Sequence, residues 1–179
     1  MGSAECGFRL PIISIAPYWD TQSAKNTERE AVSKALHSAC MEYGFFYLDI
    51  SQCVELVETE ELTRLAREFF ALPQAEKDKI SLKHQDFARG TEVTLSVQCS
   101  QAHPSCTGYQ RLKENVTNGK ADNHEGIDFY RPVENPDKSR PLWGENQWPT
   151  VPDFQTKYEK WIEKMKRLGM ILMEAQVSV

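Results

Sequence analysis

Two side chains with the spacing of a metal-binding pair, His84 and Asp86, are the first candidates for chemistry in this 179-residue sequence. A His-x-Asp pair joined by a second histidine forms the facial arrangement that holds non-haem iron(II). His103 or His124 could supply the third ligand. The segment around His84 is polar and lysine-rich, whereas a metal site needs ligands on rigid elements. We therefore predict a solvated loop here and no bound metal.

Cysteine thiols offer a second candidate metal site, because Cys99, His103 and Cys106 are zinc-ligand types. Cys40 or Cys53 could complete the set. The paired Cys-x-x-Cys spacing typical of zinc sites is missing, and the segment has no apolar core of its own. The five cysteines are odd in number and irregularly spaced, which argues against a disulfide framework. We expect free thiols and no zinc.

Composition and charge exclude several classes of partner. With 40% hydrophobic residues, the chain can bury a core as one domain. Its net charge of −5 argues against nucleic-acid binding through phosphate contacts. The first residues lack the apolar run of a signal peptide, and Cys6 stands where a myristoylation signal needs Ser or Thr. We expect a cytoplasmic protein without a membrane partner and leave the oligomeric state open.

Hydrophobic periodicity places these candidates on a mixed framework of helices and short strands. Gly44 ends one helical pattern and Pro73 interrupts a second. The aromatic pairs at 45–46 and 69–70 are predicted to be core, and a proline-rich loop at 132–152 is predicted to pack through its aromatic residues. In chain order, the predicted elements are a strand at 10–15, a helix at 26–43, a strand at 44–48, a helix at 56–70, a short helix at 74–79, a strand at 126–130 and a helix at 154–173.

The final helix carries an apolar stripe that includes Trp161, Met165, Leu168 and Leu172. A helix of this kind is stabilised mainly by tertiary packing, and no Gly or Asn cap follows the stripe. We therefore expect a truncation within the final helix, over 150–179, with the stripe facing a core that the chain lacks. This expectation also implies poor stability and binding of hydrophobic dyes.

Residues 91–107 are rich in Ser and Thr and contain no aromatic residue, which predicts an inserted segment. The codons for 90–91 can contain a splice donor and those for 106–108 an acceptor, so that their joining keeps the reading frame. The codons for 176–178 can likewise be CAG-GTG-AGT, a donor sequence. We hypothesise that the insertion is non-native and arises from an unspliced transcript or an incorrect gene model. A genuine truncated isoform and a deliberate fragment are the alternatives for the chain.

Six motifs occur in order along the chain. They are Pro11-Ile12-Ile13-Ser14-Ile15, Gly44-Phe45-Phe46-Tyr47-Leu48, Phe69-Phe70-Ala71-Leu72-Pro73 with Lys77, Arg89-Gly90 with Gly108-Tyr109 once 91–107 is removed, Glu125-Gly126-Ile127-Asp128-Phe129, and Asn146-Gln147-Trp148-Pro149. Together they resemble the N-terminal region of the non-haem iron(II), 2-oxoglutarate-dependent oxygenases, the isopenicillin N synthase-like superfamily. Phe-Phe-x-Leu-Pro-x-x-x-Lys is the most specific of the motifs. Ser14 departs from the family, which usually has Asp there.

The resemblance implies an α+β fold, with helices packed on a few N-terminal strands in one N-terminal domain over 1–179. This region precedes and flanks the family's jelly-roll, or double-stranded β-helix, core, which is itself missing here. The complete enzymes hold iron(II) and 2-oxoglutarate on that core, through a His-x-Asp pair with a distant His and through an Arg-x-Ser pair. Because this sequence contains no Arg-x-Ser, we expect no catalytic residue, metal ligand or bound cofactor in it.

Arg89 and Tyr109 are the substrate-binding candidates that the resemblance implies, because the family's Arg-Gly-Tyr turn passes near the mouth of the active site. In the alternative interpretation, both side chains only fasten the turn.

Three functions are compatible with these features. The first is the N-terminal half of an iron(II)/2-oxoglutarate-dependent oxidoreductase, a dioxygenase that oxidises a small organic substrate when complete, with this chain catalytically inactive by itself. The second is a non-catalytic protein-interaction module. The third is a small metalloprotein that uses His84, Asp86 and His124.

Deleting residues 91–107 should leave the thermal unfolding midpoint unchanged or raise it. A polar segment without apolar anchors gains too little on ordering to offset the conformational entropy that it loses. Calorimetry of the intact and deleted chains measures the difference. A midpoint lowered by several degrees would assign the segment to the fold and weaken the insertion hypothesis.

Overall fold

The computed structural model of the chain resolves into two units, one formed by 1–63 with 156–179 and the other by 64–155. The residues that it describes are 9–19, 25–81, 108–114, 116–135 and 145–177. Outside them lie the predicted insertion at 91–107 and the candidate residues His84, Asp86, Arg89, Cys99, His103 and Cys106.

Helices and short strands alternate through the described ranges, which confirms the prediction of a mixed fold. The longer predicted helices are present, and the small β4–β5 hairpin is an element that the sequence analysis did not predict. In chain order the elements are β1 Ile12–Ser14, α1 Ala16–Trp19, α2 Asn26–Glu42, β2 Tyr47–Asp49, α3 Leu56–Phe70, α4 Gln74–Lys77, a 3-10 turn Asp78–Ile80, β3 Gly108–Gln110, β4 Val116–Thr117, β5 Lys120–Ala121, β6 Gly126–Asp128 and α5 Phe154–Val177.

The first unit contains a two-stranded parallel sheet in which Ile13 of β1 lies opposite Leu48 of β2. Parallel neighbours need a crossover connection, and α2 provides it. The backbone N–H of Lys25 donates to the Glu28 carboxylate at 3.1 Å where α2 begins. After α2 ends, Gly44 has a φ of +70°, a left-handed conformation that glycine adopts without strain.

The core of the first unit contains one face each of α2 and α5 together with one face of the sheet. Leu36 and Ala39 are three residues apart on α2, and Leu168, Ile171 and Ala175 follow helical spacing on α5, so each helix buries a single face. The buried residues of this core are Ile13, Ile15, Tyr18, Leu36, Ala39, Leu168, Ile171 and Ala175.

Three residues of the apolar stripe of α5, Met165, Leu168 and Leu172, pack within this chain, so the expectation that they face an absent core was wrong. Leu168 keeps only 8% of its surface exposed, and Met165 and Leu172 pack against the same core. Periodicity within α5 could not reveal a partner that comes from β1 and α2, more than a hundred residues earlier. The exposed large apolar residues of α5 are Met170, Met173 and Val177.

Charged residues join α3 to α5 within the first unit. Lys157 Nζ lies 2.8 Å from Glu61 Oε2, and Lys164 Nζ lies 2.5 Å from Glu58 Oε2. Pairs that remain partly exposed contribute little net stability, so they mainly fix how the helices align. None of the helices in the described ranges is long and apolar enough to cross a membrane.

Aromatic rings form the core of the second unit. Phe69 contacts Tyr109 and Phe154 edge-on, with ring centroids 5.8 and 6.0 Å apart. Phe129 stacks on Trp148 at 4.1 Å. The predictions that Phe69 is core and that the loop before α5 packs through an aromatic residue are confirmed. The prediction for Phe45 was wrong, because 72% of its surface is exposed.

Replacing Leu168 by alanine should lower the free energy of unfolding by about 2–5 kcal/mol, because the substitution leaves a cavity in the first unit's core. Met170→Ala, two residues along the same helix, is the matched control, and its exposed side chain should make little difference. Urea unfolding followed by circular dichroism measures both. Equal losses in the two variants would mean that the Leu168 face is not the packed one.

Candidate functional site

Tyr109, on the antiparallel pair β3–β6, is the centre of a buried polar cluster. It lies opposite Ile127 in the strand register, and none of its surface is exposed. Its ring meets the edge of Phe69 at an interplanar angle of 82°. The hydroxyl group therefore needs a partner inside the protein.

One carboxylate oxygen supplies that partner and also binds a lysine. The Tyr109 hydroxyl donates to Glu125 Oε2 at 2.6 Å, and Lys77 Nζ donates to the same oxygen at 2.8 Å. Lys77 Nζ also donates to the Phe70 carbonyl at 3.2 Å. Gln74 Nε2 lies 3.3 Å from the Tyr109 hydroxyl oxygen. The cluster thus joins α4, β3 and the residue before β6.

The titratable groups of the cluster shift in directions that favour the ion pair. Burial opposes charge on Glu125 and Lys77, but their mutual hydrogen bond and the Tyr109 hydroxyl outweigh it. The pKa of Glu125 is therefore lowered and that of Lys77 is raised. Burial raises the pKa of Tyr109, and its hydrogen bond to Glu125 adds to the increase. At neutral pH, Tyr109 is a neutral donor beside a charged pair.

The Leu-Pro motif explains how the sequence places two of these groups. α3 ends at Phe70, and Pro73 stands just before α4, where its missing N–H removes no helical hydrogen bond. Gln74 and Lys77 are three residues apart and so share one face of a single helical turn. That face contacts Tyr109. The spacing between proline and lysine in the motif thus has a structural reason.

A second charged contact fastens the same strand. Arg111 follows β3 directly, and its guanidinium binds both carboxylate oxygens of Asp78 in the 3-10 turn, at 2.7 and 2.5 Å. This two-bond geometry matches the shape of a carboxylate, and the hydrogen bond raises the pKa of Arg111. The strand is therefore held to the segment around α4 at two separate points.

The Asn146-Gln147-Trp148-Pro149 motif, which lies before α5, also fastens segments of the chain through hydrogen bonds. The Asn146 side chain accepts from the Tyr130 N–H at 2.8 Å and donates to the Tyr130 carbonyl at 2.7 Å. The Gln147 amide donates to the Ser81 carbonyl at 3.2 Å. Successive residues of this motif therefore satisfy backbone groups of two distant segments, which is a structural role.

Comparison with known protein families identifies the chain. A family model for the N-terminal region, described as non-haem dioxygenase in morphine synthesis, matches residues 10–151. The chain belongs to this family. It is the N-terminal region of an iron(II)/2-oxoglutarate oxygenase-type protein, as the motifs predicted.

Curated relatives of this dioxygenase region are longer proteins. A homoarginine-6-hydroxylase of Oryza sativa is 31% identical over 92% of this chain and 47% of its own length. A homoarginine-6-hydroxylase of Glycine max is 33% identical over 92% of this chain and 46% of its own length. The chain thus spans about half the length of the curated relatives that it matches.

Solved structures share the fold of the region. A full-length Neurospora crassa protein, crystallised in complex with alpha-KG and 5-formyluracil, has a TM-score of 0.64 to this chain. The match covers 96% of this chain and 44% of the Neurospora crassa protein, at 18% sequence identity. At that identity the likeness shows the fold alone.

The described residues of this dioxygenase region do not form a site for the iron that its family implies. No three His, Cys, Asp or Glu side chains converge there in a way that could hold a metal ion. His124 is described but joins no such group, while His84 and Asp86 lie outside the described residues. The thiols of Cys40 and Cys53 are free, as predicted.

The structure describes one of the two substrate-binding candidates, and the substrate role of both stays a prediction. Arg89 lies outside the described residues, so its role stays a prediction. Tyr109 is enclosed, and its hydroxyl binds Glu125, an arrangement that favours the fastening role. The roles of Glu125 and Lys77 were not predicted from the sequence. The fixed spacing of Lys77 from the Leu-Pro break was the available signal for a role of the lysine. Its partner Glu125 lies 48 residues away and could not be recognised from that spacing.

Replacing Glu125 by glutamine should lower the free energy of unfolding at pH 7 by about 1–3 kcal/mol, because the buried Lys77 ammonium loses its counter-charge. The matched control is Glu76→Gln in α4, which removes an exposed pair with Lys79 and should have little effect. Chemical unfolding with a fluorescence readout measures both variants.

The difference in unfolding free energy between wild type and Glu125→Gln should depend on pH in a defined way. Because the pKa of Glu125 is lowered on folding, its contribution is complete above the ordinary glutamate pKa of about 4.3 and is lost as the pH falls through the lower folded value. The stability gap between wild type and Glu125→Gln should therefore be full at neutral pH and close under acid conditions. A gap that widened on acidification would contradict the charged pair.

Proposed function

We propose that this chain is the N-terminal half of an iron(II)/2-oxoglutarate-dependent dioxygenase and that it is catalytically inactive by itself. The observation that carries the proposal is the match of 92% of this chain to less than half of proteins named as hydroxylases. A relative from Dothideomycetidae named as a 2-oxoglutarate-dependent dioxygenase is 28% identical over 86% of this chain and supports the same reaction class.

The role of the chain's own residues in this proposal is structural support. The Tyr109, Glu125 and Lys77 groups satisfy one another, and the Arg111 guanidinium is bound to Asp78. No reaction step is assigned to them, because the described residues do not provide an iron site. Iron(II) and 2-oxoglutarate belong, in this proposal, to the complete enzyme.

The proposed substrate of the complete enzyme is a small organic molecule. Relatives from Oryza sativa and Glycine max carry the name homoarginine-6-hydroxylase, so homoarginine is the first compound to assay with a protein that includes the remaining half. Thymine-type bases are a second class to assay, because the Neurospora crassa protein was solved with thymine and with 5-formyluracil.

Anaerobic addition of iron(II) and 2-oxoglutarate to the purified chain should produce no saturable visible charge-transfer band. The physical reason is that a facial triad and a carboxylate anchor must converge, and neither is present among the described residues. The full-length Oryza sativa hydroxylase under identical conditions is the positive control.

A His84→Ala variant completes this experiment. If the wild-type chain gave a saturable band and the variant lost it, His84 would be a metal ligand. The proposal of an inactive N-terminal half would then be replaced by that of a small metalloprotein.

A further inference from the structure

The β4–β5 hairpin carries the one Asn-Gly pair in the sequence, Asn118-Gly119. These residues form the two-residue turn between Thr117 and Lys120, which pair across the hairpin. Asn118 has a φ of 51° and Gly119 a φ of 76°, the two positive values that a type I′ turn requires. Both residues are exposed, and a Cβ placed on Gly119 would have no neighbouring atom within 4 Å. The turn is therefore open to solvent.

An asparagine followed by glycine can lose its side-chain amide without an enzyme. The Gly119 backbone nitrogen attacks the Asn118 side-chain carbonyl carbon and closes a five-membered succinimide ring. The amide nitrogen leaves as ammonia, with the proton that the Gly119 N–H gives up. Water then adds to one of the two ring carbonyls and opens the ring to aspartate or isoaspartate. One water is consumed and one ammonia is released, so the reaction needs no cofactor. Glycine favours ring closure because no Cβ shields its nitrogen.

The folded turn opposes this ring closure. The Gly119 nitrogen must come onto the same side of the Asn118 Cα–C bond as the side-chain carbonyl, whereas the left-handed backbone of a type I′ turn directs the two groups apart. Asn118 is therefore protected while the turn is intact and can react when the hairpin opens.

The hairpin is built to open at low cost. β4 and β5 have two residues each, and within the described part of the chain they pair only with each other. An isolated hairpin is marginally stable at best, and exposed segments open locally at a small fraction of the global unfolding free energy. The Thr117 hydroxyl donates to Asp122 Oδ2 at 2.9 Å beside the turn. The Lys113 N–H donates to the Asp122 carbonyl at 3.0 Å at the base.

We propose that Asn118 is a site of spontaneous deamidation in the folded chain, at a rate set by opening of the β4–β5 hairpin. Both products place a carboxylate where the neutral amide stood. Isoaspartate also adds one carbon to the main chain, and a two-residue turn that fixes the strand register cannot accommodate it. The isoaspartate product therefore cannot re-form the hairpin as it stands in the unmodified chain.

The test is incubation of the purified full chain in mildly alkaline buffer at physiological temperature, followed by trypsin digestion and mass spectrometry. Cleavage after Lys113 and Lys120 releases one peptide that contains both Asn115 and Asn118. Asn115 is the internal control, because its next residue is Val116. Asn118 should deamidate faster than Asn115 by about tenfold or more, since the β-branched side chain shields the attacking nitrogen. A zero-time sample corrects for conversion during digestion.

A Thr117→Val variant tests whether hairpin opening sets the rate. It removes the hydroxyl that binds Asp122 and should raise the native rate at Asn118 by about two- to tenfold. Thr63→Val removes a comparable exposed hydroxyl bond, to the Thr59 carbonyl in α3, and should leave the rate unchanged. In guanidinium chloride, wild type and both variants should share one rate that exceeds the native wild-type rate, because the turn is absent.

Three outcomes would overturn the proposal. The first is native deamidation at Asn118 no faster than at Asn115. The second is a native rate in Thr117→Val equal to that of wild type or of Thr63→Val. The third is a native wild-type rate equal to the rate in guanidinium chloride, which would mean that the hairpin gives Asn118 no protection.

Discussion

Glu125 Oε2 accepts hydrogen bonds from both Tyr109 and Lys77, and the assembly of the second unit depends on that shared oxygen. A buried hydroxyl and a buried ammonium would otherwise lose their partners at the same point, each with a desolvation cost. The aromatic core is built around this contact, since Phe69 packs on the Tyr109 ring. The lysine that ends the Leu-Pro motif is therefore part of the interior.

Sequence alone could predict the features that depend on near neighbours. The helical spacing of Leu36 and Ala39, the stop at Gly44 and the break at Pro73 are set by local periodicity and backbone preference. The family followed from ordered motifs, the most specific of which contains Lys77. The residue types were sufficient for these conclusions because each one acts within a few positions of its own place in the chain.

The remaining features depend on contacts between distant segments, which periodicity does not encode. Leu168 was assigned to an absent core, although β1 and α2 bury it. Phe45 was assigned to the core because it is aromatic, although strand alternation and the position before β2 leave it exposed. Glu125 acquired its role from Lys77 and Tyr109, which are far from it in sequence. In each case the residue type could be read from the sequence, but the residues that surround it in the fold could not.

The described residues satisfy their buried polar groups but leave several large apolar side chains exposed to solvent. Among the described residues, no buried side-chain nitrogen or oxygen lacks a hydrogen-bond partner. The large apolar side chains that remain exposed include Ile12 and Tyr47 on the β1–β2 sheet. The buried charges of the second unit are thus satisfied by one another, which makes their role structural, while the first unit exposes apolar side chains such as Ile12 and Tyr47.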